Sequence, residues 1–103
     1  METAVRFFHK SGQSYFLFGP RGTGKSTFVK GAYTNYILID LLDPGEYRNY
    51  FAYPERLKEL VYANASTKTF IIDEVQKVPQ MLTVVHQLIE EKQGWQFILT
   101  GSS

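Results

Sequence analysis

Apolar residues cluster in four short runs, at positions 15–18, 36–40, 69–72 and 95–100. The first is continuous, as in strands buried on both faces, and the other three read as the second, third and fourth strands. The stretches between them carry helical signals. Lys25 to about Ala32 is helix-compatible, with Phe28 and Ala32 on one face at a spacing of four. Tyr33-Thr34-Asn35 breaks it. Asp43-Pro44-Gly45-Glu46 reads as a helix start, with Asp43 as N-cap and Pro44 at the first helical position. A second start falls at Pro54, after which Leu57, Leu60 and Val61 make an apolar stripe. Glu55, Arg56, Lys58 and Glu59 then face water.

Asn64-Ala65-Ser66 is a loop, and Pro79 opens a further helix. Leu82, Val85 and Ile89 form one line on it, and Met81, Val84 and Leu88 a second. His86 lies off both lines and reads as solvated. This helix ends near Lys92, with Gly94 as its stop. Ahead of the first run, Ser11-Gly12-Gln13 is a turn. Val5-Arg6-Phe7-Phe8 is apolar without a readable type, and His9 beside it reads as a surface or packing residue.

Strands alternating with helices call for an α/β fold with a parallel sheet and right-handed crossovers. Ligands of such sheets sit beyond the carboxyl ends of the strands. Three polar clusters fall there: the glycine-rich stretch from Gly19, Asp73-Glu74, and Thr100-Gly101-Ser102.

Composition narrows the class. With 103 residues the chain is one domain or less, and 44% hydrophobic residues suffice for a packed core. A net charge of +1, with Lys and Arg scattered, gives no electrostatic push toward nucleic acid. The absence of cysteine excludes a disulfide framework and a thiolate zinc site. Met1 to Lys10 lacks a signal-peptide core, and no run approaches the roughly 20 apolar residues of a membrane span. A cytoplasmic protein is the expectation.

The chemistry centres on Gly19-Pro20-Arg21-Gly22-Thr23-Gly24-Lys25-Ser26-Thr27. This is Gly, four residues, Gly-Lys-Ser, between an expected strand and an expected helix, the required context of a phosphate-binding P-loop. Glycines let the backbone bend until its N–H groups close around phosphate oxygens. The following helix adds free N–H donors and the positive end of its dipole. Lys25 can reach the β- and γ-phosphates as a point charge, and the Ser26 hydroxyl can ligate Mg²⁺. At average glycine usage, a chance match in a chain this long arises on the order of a few times in a thousand. A nucleotide site therefore outweighs a glycine-rich turn with a solvated lysine.

Asp73-Glu74 then reads as the acidic partner. The strand-end aspartate can hold Mg²⁺ through its water shell, opposite Ser26. The adjacent glutamate can orient and deprotonate the water attacking the γ-phosphate. At the end of the fourth run, a hydroxyl of Thr100 or Ser102 can sense the γ-phosphate, against the alternative of an ordinary strand-to-loop turn. Arg21 reads as solvent-facing or structural.

Phe16-Leu17-Phe18-Gly19-Pro20-Arg21-Gly22-Thr23-Gly24-Lys25-Ser26, Asp40-Leu41-Leu42-Asp43-Pro44, Ile72-Asp73-Glu74-Val75-Gln76-Lys77-Val78-Pro79 and Phe97-Ile98-Leu99-Thr100-Gly101-Ser102-Ser103 together resemble prokaryotic P-loop ATPases of the AAA+ superfamily. The resemblance, from about Ser14 to Ser103, is to the group whose ATPase domain is commonly followed by a C-terminal domain of unknown function. It implies a three-layer P-loop NTPase sandwich, with residues 1–103 as a partial ATPase domain truncated after the fourth strand. Residues 19–27 would be the Walker A motif, Asp73 and Glu74 the Walker B pair, and the end of the fourth strand sensor 1. ATP, Mg²⁺ and homo-oligomerisation of the full-length protein are implied in the same way. So are an arginine from a neighbouring subunit and a second sensor, neither of which can be placed on this sequence.

The resulting expectation is Mg²⁺-dependent ATP hydrolysis driving a conformational switch. Three alternatives stand beside it. Asp73-Glu74-Val75-Gln76 matches the Asp-Glu-x-Gln box of helicase-type motors, but the next strand end carries no acid and no basic, aromatic single-strand platform is visible. A small-molecule kinase needs an acceptor pocket and a lid, and residues 40–54 are too short to show one. A nucleotide-gated binding module without hydrolysis differs from the first reading only in rate.

Overall fold

The computed structural model describes residues 3–6, 14–19 and 35–102. The expected helix after the P-loop, the turn at residues 11–13, and Phe7, Phe8 and His9 lie outside the described residues. The elements are β1 (Thr3–Arg6), β2 (Tyr15–Gly19), β3 (Tyr36–Asp40), α1 (Pro44–Ala52), α2 (Arg56–Ala63), β4 (Thr69–Asp73), a 3₁₀ turn (Val75–Lys77), α3 (Gln80–Glu90) and β5 (Gln96–Ser102). The sheet runs β1-β2-β5-β4-β3. β2, β5, β4 and β3 are mutually parallel, the α/β arrangement expected from the four apolar runs. Beside them β1 adds an antiparallel edge to β2, pairing Val5 with Phe16. That gives the unassigned segment at Val5-Arg6 a strand identity.

The central strands are buried on both faces, so their sequences could not alternate. Phe70, Ile71 and Ile72 of β4, and Phe97, Ile98 and Leu99 of β5, are all fully buried. Side chains nonetheless alternate in direction. Ile39, Phe70, Ile72, Phe97 and Leu99 join the core shared with α1, α2 and α3, where the Phe70 and Phe97 rings stack at 5.6 Å. Leu17, Ile71 and Ile98 form a smaller cluster with Tyr36 and Leu38 on the opposite face. All three described helices pack on the first face. The third layer of the expected sandwich falls on the residues outside the description.

Local signals set most helix ends. Asp43 caps α1 by accepting the Glu46 backbone N–H on Oδ2 at 3.0 Å, with Pro44 next in the helix. Glu46 reaches back to accept the Asp40 backbone N–H at 3.0 Å, tying α1 to the end of β3. α2 begins at Arg56, after a turn at Pro54-Glu55, and buries Leu57 and Val61. On α3 the buried side chains are Met81, Val84, Val85 and Leu88. The two sequence lines therefore do not contribute equally. Leu82 is exposed and Ile89 half-buried, because the face toward the sheet centres on the Met81, Val84 and Leu88 line, with Val85 at its margin. His86 is exposed, as its position off both lines predicts.

Two boundaries differ from the sequence reading. The first left-handed residue after α3 is Lys92, with φ 55°, and Gly94 at φ 86° comes two positions later. The Glu91 and Lys92 backbone N–H groups bond Leu88 and Ile89 at 3.1 Å each, tightening the last turn before the glycine is reached. The second difference is that β5 continues through Gly101 and Ser102, because Phe18 and Gly19 of β2 pair with them. No described helix is long and apolar enough to cross a membrane.

Candidate functional site at the carboxyl edge of the sheet

Register brings the strand ends together. Asp40 pairs with Asp73 across β3 and β4, and Leu17 pairs with Thr100 across β2 and β5. Ile72 pairs with Leu99, so Asp73 and Thr100 stand side by side one step further along. Gly19, where the glycine-rich stretch opens, lies beside Ser102. Asp73 and Thr100 follow Ile71 and Ile98 by two residues each, which puts both on the face of the smaller cluster. Apolar burial along that face gives way to a polar pair at the edge where parallel sheets hold ligands.

Thr100 is completely buried, and its hydroxyl is committed twice. Its single proton goes to Asp73 Oδ1 at 2.5 Å, and its oxygen accepts the Glu74 backbone N–H at 3.0 Å. One side chain thereby fixes the aspartate and the backbone of the glutamate beside it. Glu74 has φ 61° and ψ 49°, the left-handed region, which a residue with a Cβ adopts at a cost of roughly 1–2 kcal/mol. That conformation turns the chain out of β4 into the 3₁₀ turn. Glu74 is only 3% exposed. Its Oε1 accepts a hydrogen bond from Gln76 Nε2 at 2.6 Å. Gln76 in turn lies over Gly101. A Cβ built on that glycine would be 3.0 Å from Gln76 Oε1 and 3.3 Å from the Phe16 ring.

Of the residues singled out from sequence, Gly19, Asp73, Glu74 and Thr100 are brought to one edge. Ser102 is placed there by its backbone. Pro20, Arg21, Gly22, Thr23, Gly24, Lys25, Ser26, Thr27 and Ser103 lie outside the described residues. Between the two hydroxyl candidates the geometry draws a distinction, since the Thr100 proton is already engaged by Asp73. Two participants were not among the expected site residues. Gln76 had a signal, as the last member of Asp73-Glu74-Val75-Gln76. Gly101 had only its place between Thr100 and Ser102.

A family model described as an AAA domain matches residues 11–103. The chain belongs to this family. Comparisons with curated proteins and with solved structures return no match. Membership supports a nucleotide-binding domain of the P-loop NTPase type, and the α/β sheet agrees with it.

The donors at the edge of the AAA domain suit a hard cation. Asp73 offers carboxylate oxygen at a half-buried strand end, and no hydrogen bond among the described residues takes its Oδ2. Magnesium takes one or two such carboxylates together with phosphates and retained waters. A single carboxylate of this kind fits a metal that would take its remaining ligands from phosphate and water.

Proposed function

We propose that this AAA domain binds ATP with Mg²⁺ and hydrolyses it, the turnover driving a conformational switch. The observation carrying this reading is the meeting of Asp73, Glu74 and Thr100 with Gly19 and Ser102 at one sheet edge, next to a Gly-x₄-Gly-Lys-Ser sequence. Residues 19–27 are the phosphate cradle, with Lys25 on the terminal phosphates and Ser26 and Asp73 as metal partners. Magnesium, when bound, neutralises charge on the phosphate oxygens. Thr100 holds the Asp73 carboxylate in a fixed orientation and pins the backbone of Glu74. Glu74 accepts a proton from the attacking water. With the Thr100 proton engaged, Ser102 is the hydroxyl candidate for contact with the terminal phosphate. A cytoplasmic setting, self-association in a longer protein, an arginine supplied by a neighbouring subunit and a following C-terminal domain complete the proposal.

Calorimetric titration with MgATP tests the cradle: native chain should bind, and Lys25→Ala should show no heat of binding. Glu74→Gln should bind like the native chain and lose hydrolysis by about 10²–10⁴-fold, the usual share of a positioned base. Equal hydrolysis by Glu74→Gln and the native chain would sink the base assignment.

A further inference from the structure

We propose that Gln76 is a positioning residue for Glu74, and that Gly101 is the seat that lets it work. The proposal rests on the reading of Glu74 as the group that activates water. The Gln76 side-chain amide donates to Glu74 Oε1 at 2.6 Å, a short hydrogen bond to a buried carboxylate. An amide is a suitable donor for this purpose because it is neutral. A lysine or arginine in its place would hold the carboxylate too, but would also stabilise its charge and weaken it as a base.

The backbone carrying Gln76 is anchored on both sides. Val75 opens the 3₁₀ turn and Val78 follows it, both fully buried in the main core, while the Gln76 side chain itself is exposed. The Lys77 and Val78 backbone N–H groups close the turn onto the Glu74 and Val75 carbonyls at 3.1 and 3.0 Å. Gln76 is thus a solvent-side clasp on a rigid mount, reaching over an interior carboxylate. Its position against the end of β5 depends on Gly101. Any Cβ there would press on Gln76 Oε1 at 3.0 Å, with the Phe16 ring at 3.3 Å behind it. The same strand end therefore serves both acids: Thr100 fixes Asp73, and Gly101 makes room for the residue that fixes Glu74. The Asp73-Glu74-Val75-Gln76 sequence is explained by this contact without a helicase role.

The test is single-turnover hydrolysis and MgATP affinity for the full chain and for Gln76→Ala, Gly101→Ala, Glu74→Gln and the Gln76→Ala/Glu74→Gln double variant. Side-chain amide NMR of Gln76 provides a readout independent of activity. Gln76→Ala should lower the hydrolysis rate about 10-fold or more, the scale of a displaced catalytic group. MgATP affinity should stay within about twofold, since no phosphate contact is removed. In the Glu74→Gln background the same change should cause no further loss, because Gln76 acts only through the glutamate. Gly101→Ala should show a smaller loss in the same direction. The Gln76 amide protons should be shifted in the native chain and move to free-amide positions in Glu74→Ala. A full loss from Gln76→Ala on top of Glu74→Gln overturns the proposal. So does an unchanged rate in Gln76→Ala while Glu74→Gln is slow, which leaves the base reading intact. A Glu74→Gln variant as fast as the native chain removes the base reading, and the role of Gln76 falls with it. The amide resonances would then still report whether the contact exists.

Discussion

Glu74 and Lys92 share a left-handed backbone, at φ 61° and 55°, which neither residue type favours. Their surroundings are opposite. Lys92 sits in an exposed turn after α3, held by backbone hydrogen bonds of the fraying helix end. Glu74 is buried at the carboxyl edge of the sheet, with Thr100 on its backbone and Gln76 on its carboxylate. In the first turn the strain is incidental, and any residue that relieves it is an improvement. In the second the strain aims one carboxylate, and side chains from β5 and the 3₁₀ turn keep it there. Strain maintained by specific partners is the kind associated with function.

Substitutions at three positions would break or sharpen this contrast. The largest effect belongs to Glu74→Gln, which preserves shape and burial and should remove about 10²–10⁴-fold of hydrolysis with binding retained. Next is Thr100→Val, which keeps the volume but leaves Asp73 Oδ1 and the Glu74 backbone N–H without their shared partner. An unsatisfied buried group costs about 1–3 kcal/mol, so urea denaturation should show a loss in that range. Thr100→Ser should restore most of it, and Thr100→Val should also weaken Mg²⁺-dependent nucleotide binding. The smallest effect is a gain. Lys92→Gly relieves the other left-handed residue and should stabilise the fold by up to about 1 kcal/mol, with nucleotide affinity untouched. If Lys92→Gly altered nucleotide binding, the two turns would not be as separate as the comparison holds.

The fold was largely legible because four apolar runs and the caps between them are local signals. Asp43-Pro44 and the buried pattern of Leu57 and Val61 follow from neighbours within a few positions. The acids of the site were legible for a similar reason, as polar residues directly after apolar runs. Contacts between distant parts of the chain were not. The bond from Thr100 to Asp73 spans 27 positions, and only the register of β4 against β5 brings them together. The clasp by Gln76 needs the left-handed turn at Glu74, a conformation a glutamate gives no hint of. The extension of β5 past Thr100 depends on pairing with Phe18 and Gly19, so a sequence window ending at residue 100 stops short. Gly94 drew attention as a helix stop because glycine favours that conformation, whereas α3 ends at Glu90 and the left-handed turn after it already begins at Lys92.

The strand order has a kinetic side. Among the described strands, β2, which leads into the glycine-rich stretch, has its parallel neighbour in β5, while β5 comes last in the chain and is also the partner of β4. The Ser14 hydroxyl, which receives the Phe97 backbone N–H at 2.8 Å, closes a separation of 83 positions. Loop-closure entropy must be met before such a contact contributes, so topology of this kind slows folding. β3 and β4 are neighbours in both sequence and sheet, whereas β2 meets them only through β5. Assembly of the two halves of the site and completion of the sheet are therefore one event, and a chain caught before it would carry both halves apart.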